Sequence, residues 1–176
     1  MQPRFLCAIA LSVLTVGLAV SVPAVPALAQ GTRVSEPTGG FSYVPPPGWH
    51  TKPFPGLKYK ICYTNSLGGF APNINILEET AAVPLDKYMQ ISLVGMKQAY
   101  TTFAILSQKP FVTASGIRGV RMVVNGTTGG RNMHQVFYVF PGANDRKYVV
   151  TASSLASDGN RYNAATDASM KTFRLR

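Results

Sequence analysis

Thiols are scarce in this chain: only Cys7 and Cys62 occur among its 176 residues. Cys7 falls inside an apolar leader, so Cys62 is left alone, and a lone cysteine excludes a scaffold stapled by internal disulfides. Acidic residues are few, seven against 17 Lys and Arg, which makes a multi-carboxylate calcium site untenable. Glu78 and Glu79 are adjacent, so on a strand they point to opposite faces and cannot work as a facing acid/base pair. Two histidines, His50 and His134, stand far apart without a cysteine or carboxylate at ligand spacing, whereas structural zinc wants about four ligands. The chain has no Gly-x-Ser-x-Gly elbow, and its glycine-rich NGTTGGR lies between two strand-like runs, where it reads as a hairpin loop. No catalytic residue, no cofactor-binding residue and no metal ligand is expected, and the chain reads as a non-enzyme.

Long apolar runs are also missing, apart from LCAIALSVLTVGLAV (Leu6–Val20). That run is shorter than the ~20 residues a membrane span needs. Arg4 precedes it, and Ala27-Leu28-Ala29 closes the segment with the small residues that a signal peptidase reads. Residues 1–29 are therefore expected to be a signal peptide and the protein to be exported, to the periplasm or the extracellular space, and not to be an integral membrane protein. Residues 30–40 (QGTRVSEPTGG) are polar and rich in turn formers, and read as a flexible N-terminal segment. Residues 41–176 contain no second linker and no repeat, so they should form a single domain.

The formal charge is +10, and losing the leader removes only Arg4 from it. Such a balance favours an acidic protein or envelope partner, or peripheral contact with an anionic membrane. The positives are scattered, without a polybasic run, and the exported address argues against nucleic acid. Arg118, Arg121, Arg131, Arg146 and Lys147 are the candidates for a partner-binding surface.

FSYV reads as a strand ended by Pro45, and Pro46-Pro47-Gly48 turns the chain into Trp49, the single tryptophan, which should anchor the bend on the core. LKYKICYT (Leu57–Thr64) predicts a strand with Cys62, half-buried, on the face of Lys58 and Lys60, opposite Tyr59, Ile61 and Tyr63. NINILEE (Asn73–Glu79) alternates as a strand. From Pro84 to about Thr102, Leu85, Tyr88, Met89, Met96, Ala99, Tyr100 and Phe103 approximate one apolar stripe of a helix, with Gly95 as its weak point. Four strand-like runs follow (103–113, 116–126, 131–141 and 147–153), joined by short turns that predict an antiparallel meander, and residues 160–173 show helical period. Phe137, Tyr138, Val139 and Phe140 are consecutive, so their strand must be covered on both faces. The fold class is α+β, one antiparallel sheet covered by helices.

FSYVPPPGW, then NINILEE followed by PLDKYMQ, then YVVTAS and the closing SMKTFRL together resemble the PsbP-like family. That family includes the extrinsic photosystem II protein, thylakoid-lumen relatives, and bacterial exported proteins of the DcrB and LpqN kinds. The resemblance covers Phe41 to Leu175. It implies an α/β/α sandwich with a central antiparallel sheet, a binding or assembly role, and a lumenal address in a photosynthetic cell. A protein or envelope partner met through the basic surface is the first expectation. The alternatives are a small-molecule or lipid carrier with a pocket lined by Tyr88, Phe103 or Phe137, and a hydrolase using a serine or His134. Metal binding through His50 or His134 is a further one.

Overall fold

The computed structural model describes residues 31–66 and 69–176, so the expected leader, residues 1–29, lies outside the described residues. The chain runs β1 (Val34–Glu36), a 3-10 turn, β2 (Phe41–Tyr43), β3 (His50–Lys52), β4 (Ile61–Tyr63), β5 (Asn73–Thr80) and α1 (Leu85–Ala99). It continues with β6 (Thr102–Val112), β7 (Arg118–Thr128), β8 (Arg131–Pro141), β9 (Arg146–Leu155), a second 3-10 turn, α2 (Asn163–Lys171) and β10 (Arg174–Leu175). One sheet has seven strands in the order β3-β4-β5-β9-β8-β7-β6, the other three in the order β1-β2-β10. All neighbouring pairs are antiparallel.

Turn chemistry sets these pairings. Gly129 and Gly130 both take positive φ, +56° and +72°, as a two-residue hairpin with matching strand twist requires. Thr128 consequently faces Arg131, and β7 and β8 pair along nearly their whole lengths. At the proline-rich stretch, the Trp49 amide donates to the Pro46 carbonyl at 3.1 Å while Gly48 sits at φ +76°. This is a type II turn with Pro47 and Gly48 in the positions that suit them. Phe54 to Leu57 repeats the device: the Leu57 amide bonds the Phe54 carbonyl at 3.1 Å and Gly56 lies at φ +82°. Trp49 is then laid edge-on against Tyr162, with ring centroids 5.9 Å apart, at the margin of the main core.

Strand β8 is buried on both faces from Met133 to Phe140. Val136, Tyr138 and Phe140 join Phe41, Tyr43, Tyr148, Val150, Met170 and Phe173 in the larger core, beneath β2 and α2. Phe137 and Val139 join Met122, Val124, Val149, Tyr88 and Met89 beneath α1. The sheet is thus covered by one helix on one face and, on the other, by a helix together with the small sheet, where helices alone were expected.

Polar bonds fix the second cover. Asp167 of α2 accepts from Arg121 Nε at 2.6 Å and from the Tyr138 hydroxyl at 2.6 Å through the same Oδ1. The C-terminal end of α2 grips the strand β2 exit: Ser169 Oγ donates to the Val44 carbonyl at 2.5 Å, and the Val44 amide donates to Thr172 Oγ1 at 2.7 Å. Lys171 Nζ donates to the Val112 carbonyl at 2.6 Å and lies 4.5 Å from the centre of the Phe111 ring.

Three expectations need correction. Within the expected flexible segment 30–40, residues 34–39 are tied down, because Val34–Glu36 pairs with β2 and the Tyr148 hydroxyl donates to the Gly39 carbonyl at 2.7 Å. The strand expected over Leu57–Thr64 is only Ile61–Tyr63, because the second Pro-Gly turn occupies the approach to it. Alternation therefore does not extend back to Tyr59, which is buried in the same core as Cys62. Helix α1 ends at Ala99, since Tyr100 is already extended and the Thr101 amide bonds the Thr127 carbonyl at 2.8 Å, feeding Phe103 into the sheet.

The outer edge is β6, whose pairing with β7 shifts between Ile105 and Ser107 in a β-bulge. It carries the exposed side chains of Ile105 and Leu106.

Replacing Asp167 with alanine strands two buried donors, on Arg121 and Tyr138, and is expected to cost about 2–4 kcal/mol in urea unfolding. Asp167→Asn, which keeps one acceptor, should cost less. Stability equal to wild type in Asp167→Ala would rule out the pin.

Candidate functional site: a groove between helix and sheet

The sequence LDKYMQISLVGMKQA has two apolar flanks. Met89, Leu93 and Met96 pack toward the sheet, while Tyr88, Ile91, Ser92 and Gly95 recur at helical spacing along the neighbouring flank. Alternation on β5 and β9 turns Leu77, Glu79, Val149 and Thr151 to this same side of the sheet. A single helix is too narrow to cover all of it. Between the Tyr88–Gly95 flank and Leu77 a groove of about 560 Å³ remains, floored by Phe137, Val139, Val149 and Thr151.

The groove is mostly apolar. Its rim exposes Ile91 (55 %) and Leu77 (42 %), with Val94 (60 %) next along the helix. Glu79 marks one end, where its Oε2 accepts from the Tyr88 hydroxyl at 2.6 Å. Burial, and then the bond to the Glu79 carboxylate, push the Tyr88 phenol well above its ordinary range, so it stays a donor. Gly95 explains the width: a Cβ built there meets nothing within 4 Å. The glycine that looks like a helix defect in the sequence is the residue that keeps the wall low.

No family model and no curated relative matches the sequence. Solved structures do. CyanoP, the cyanobacterial PsbP of Synechocystis sp. PCC 6803, superposes with a TM-score of 0.58 at 12% identity over 93% of this chain and 99% of its own. LpqN, described as involved in cell envelope biogenesis of Mycobacterium tuberculosis, gives 0.60 at 13% over 82% of this chain and 84% of its own. PA94 of Pseudomonas aeruginosa, a protein of unknown function, gives 0.58 at 12% over 73% and 97%. The chain has the PsbP-like fold. At such identities the likeness is one of fold alone, and the sites must be argued from these residues.

On this PsbP-like frame the five basic candidates do not share a surface. Arg118 opens β7 and Arg131 opens β8, which the antiparallel register puts at opposite ends of the sheet, about 30 Å apart. Arg131 donates to the Gly69 carbonyl at 2.8 Å and lies over Phe70, while Arg146 reaches Glu78 at 3.9 Å. Arg121 and Lys147 are buried, on opposite faces, because alternation turns each beneath a cover. Arg121 is taken up by Asp167, and Lys147 Nζ bonds the carbonyls of Ala81 at 2.8 Å and Asp145 at 3.3 Å. Charge in the sequence was read as exposure, and for these two residues it was not.

Of the expected pocket residues, Tyr88 and Phe137 line the groove. Phe103 packs against Tyr100, with centroids 5.3 Å apart, and stays out of it. His134 is buried beside a cavity with room for about one water, lined also by Trp49, Ser154, Tyr162 and Asn163. Its Nδ1 lies 2.8 Å from Asn125 Oδ1 and its Nε2 3.0 Å from Asn163 Oδ1. Both ring nitrogens are engaged by amides, so none is left to activate Ser154, whose hydroxyl donates instead to the His134 carbonyl at 3.5 Å. His50 is exposed on β3 with its ring 6.1 Å from Tyr63. Among the described residues no three His, Cys, Asp or Glu side chains converge as a metal site, and no helix is long and apolar enough to cross a membrane.

Cys62 is fully buried, not half-buried, and burial pushes its thiol up to about 12 from an ordinary 9.0. The neutral thiol is therefore favoured by the folded state. Its contribution to stability is complete below pH 9 and is lost as the pH climbs from 9 toward 12, where only the unfolded chain ionises. Stability measured against pH should fall over that window, and Cys62→Ala should flatten part of the fall. The native thiol should resist a soluble disulfide reagent at pH 8 and react on unfolding; rapid native labelling would contradict its burial. Gly95→Ala, with open space around the new methyl, should stabilise the protein by about 0.5–1 kcal/mol in thermal unfolding.

Proposed function

We propose that this is an exported, non-enzymatic binding protein that carries an apolar ligand of acyl-chain type in the groove beside α1. The groove carries the reading: an apolar trough of about 560 Å³, rimmed by exposed Leu77 and Ile91 and held open by Gly95. Pockets for drug-sized ligands span about 300–1,000 Å³ and are mostly apolar with a few polar groups, as here with Glu79, Tyr88 and Thr151. Export is supported by the leader-like residues 1–29, and an envelope setting by the description of LpqN. Under this reading the layers correspond to the α/β/α arrangement of the family, with the groove opening on the α1 side. Delivery would be to a protein partner or an envelope component.

A partner held through one broad basic surface formed by Arg118, Arg121, Arg131, Arg146 and Lys147 is less well supported, because two of the five are buried and the others diverge. Nor does His134 support a hydrolase, with both nitrogens occupied.

Native mass spectrometry of protein purified from its own host should show an adduct of lipid mass, and a dansylated fatty acid should brighten on binding. Gly95→Leu, which fills the groove, should abolish the signal while keeping the fold, whereas Gly95→Ala should retain it. No adduct and no brightening, or a Gly95→Leu variant that binds as wild type, would refute the carrier reading.

A further inference from the structure

The three-stranded sheet has an unusual outer face. Ser35, Ser42 and Arg174 stand side by side in register across β1, β2 and β10. Alternation turns Val34, Phe41, Tyr43 and Leu175 inward to the core, and takes Glu36 with them, one of whose carboxylate oxygens is buried. Arg33 and Arg176 flank the serines: Arg33 Nη1 donates to Ser42 Oγ at 3.3 Å and to the Thr172 carbonyl at 3.0 Å, and Arg176 Nη2 donates to Ser35 Oγ at 2.7 Å. Two guanidiniums thus bond the two hydroxyls, and Arg174 is the register neighbour of Ser42. Among the described residues none of the three is in an ion pair.

Arg33 and Ser35 also form one wall of a hollow of about 470 Å³. Its opposite wall is the turn Pro45–Pro46 with Gly48–Thr51, and Lys60 adds a further ammonium. Among the described residues no acidic side chain lines this hollow. Burial first, and then the nearby charge of Arg174, lower the Arg33 pKa, so an anion placed here would be held favourably.

We propose that Arg33, Arg174 and Arg176, with Lys60 and the hydroxyl of Ser35, form a binding site for a phosphoryl group, while Ser42 lies buried beneath it and holds Arg33. Guanidinium forks match the paired oxygens of a phosphate, and serine hydroxyls can donate to a third. The site lies on the face of the large sheet opposite α1 and does not depend on the groove. It contains none of the five basic residues that the sequence singled out, because the register of three short strands assembles it.

NMR titration of the purified protein with inorganic phosphate should move the amides of Ser35, Ser42 and Lys60 in a saturable manner. Cosedimentation with phosphatidylcholine vesicles, with and without phosphatidylglycerol, separates a free phosphate from a lipid headgroup as the source. The double variant Lys60→Gln/Arg174→Gln, at positions that hold no side-chain bond among the described residues, should weaken binding roughly tenfold. Lys87→Gln/Lys97→Gln, an equal loss of two charges placed on α1 across the large sheet, should change it less than about twofold. Gly95→Leu should leave it unchanged, which keeps the test separate from that of the groove. Binding to phosphate, or to anionic vesicles alone, that is lost in Lys60→Gln/Arg174→Gln supports the site. Binding that Lys87→Gln/Lys97→Gln weakens equally, binding that survives Lys60→Gln/Arg174→Gln, or no binding to either probe overturns it.

Discussion

Strand β8 must be kept from water on both of its faces, and the rest of the molecule is arranged around that demand. Met133 to Phe140 are buried without interruption. Each large apolar side chain there is worth about 1.5–3 kcal/mol when fully removed from water, so neither face can be left open. The two covers meet the demand differently. On one face α2 and the small sheet are locked by Asp167, Ser169 and Thr172, with a charged bond to Arg121 and bonds to the Val44 backbone. On the other, α1 rests on apolar contacts, the bond between Tyr88 and Glu79, and a long one from Thr128 Oγ1 to the Ala99 carbonyl at 3.5 Å. The looser, narrower cover is the one with a groove beside it.

Much of this was legible in the sequence where local chemistry decides structure. The Pro-Pro-Gly-Trp turn, the strand of Asn73–Glu79, the meander and both helices follow from turn residues and periodicity, and Phe137 to Phe140 announced a strand covered twice. Failures came where tertiary context decides. Arg121 and Lys147 are charged but buried, because each has acceptors that only the fold brings near: Asp167 for one, two backbone carbonyls for the other. The alternation through Tyr59 and Cys62 is broken by a turn whose Pro-Gly signal was visible, yet its effect on which way Tyr59 faces was not. Val34–Glu36 is too short to show a period, and becomes a strand only because β2 offers it an edge. The groove was half legible: Tyr88 and Phe137 line it, but Gly95 read as a flaw until its surroundings were seen to be empty.

The PsbP-like fold is shared with proteins of little sequence similarity, and it functions here as a platform with two dissimilar sides. The α1 side offers an apolar trough, and the outer face of the small sheet a cluster of guanidiniums. A fold of this kind constrains where sites can lie without dictating their chemistry. Side-chain choices at single positions, glycine at 95 and serine at 35 and 42, then decide what each side can hold.

The bulge in β6 bears on how the molecule behaves in company. An edge strand of eleven residues with Ile105 and Leu106 exposed is a template on which another chain could build. The extra residue at the bulge bends the ladder, and Pro110 removes a donor further along, so an incoming strand would find only a short straight stretch between them. The same irregularity that looks like a fault in the sheet therefore shortens the ladder on which a second chain could pair, the device by which edge strands are kept from joining.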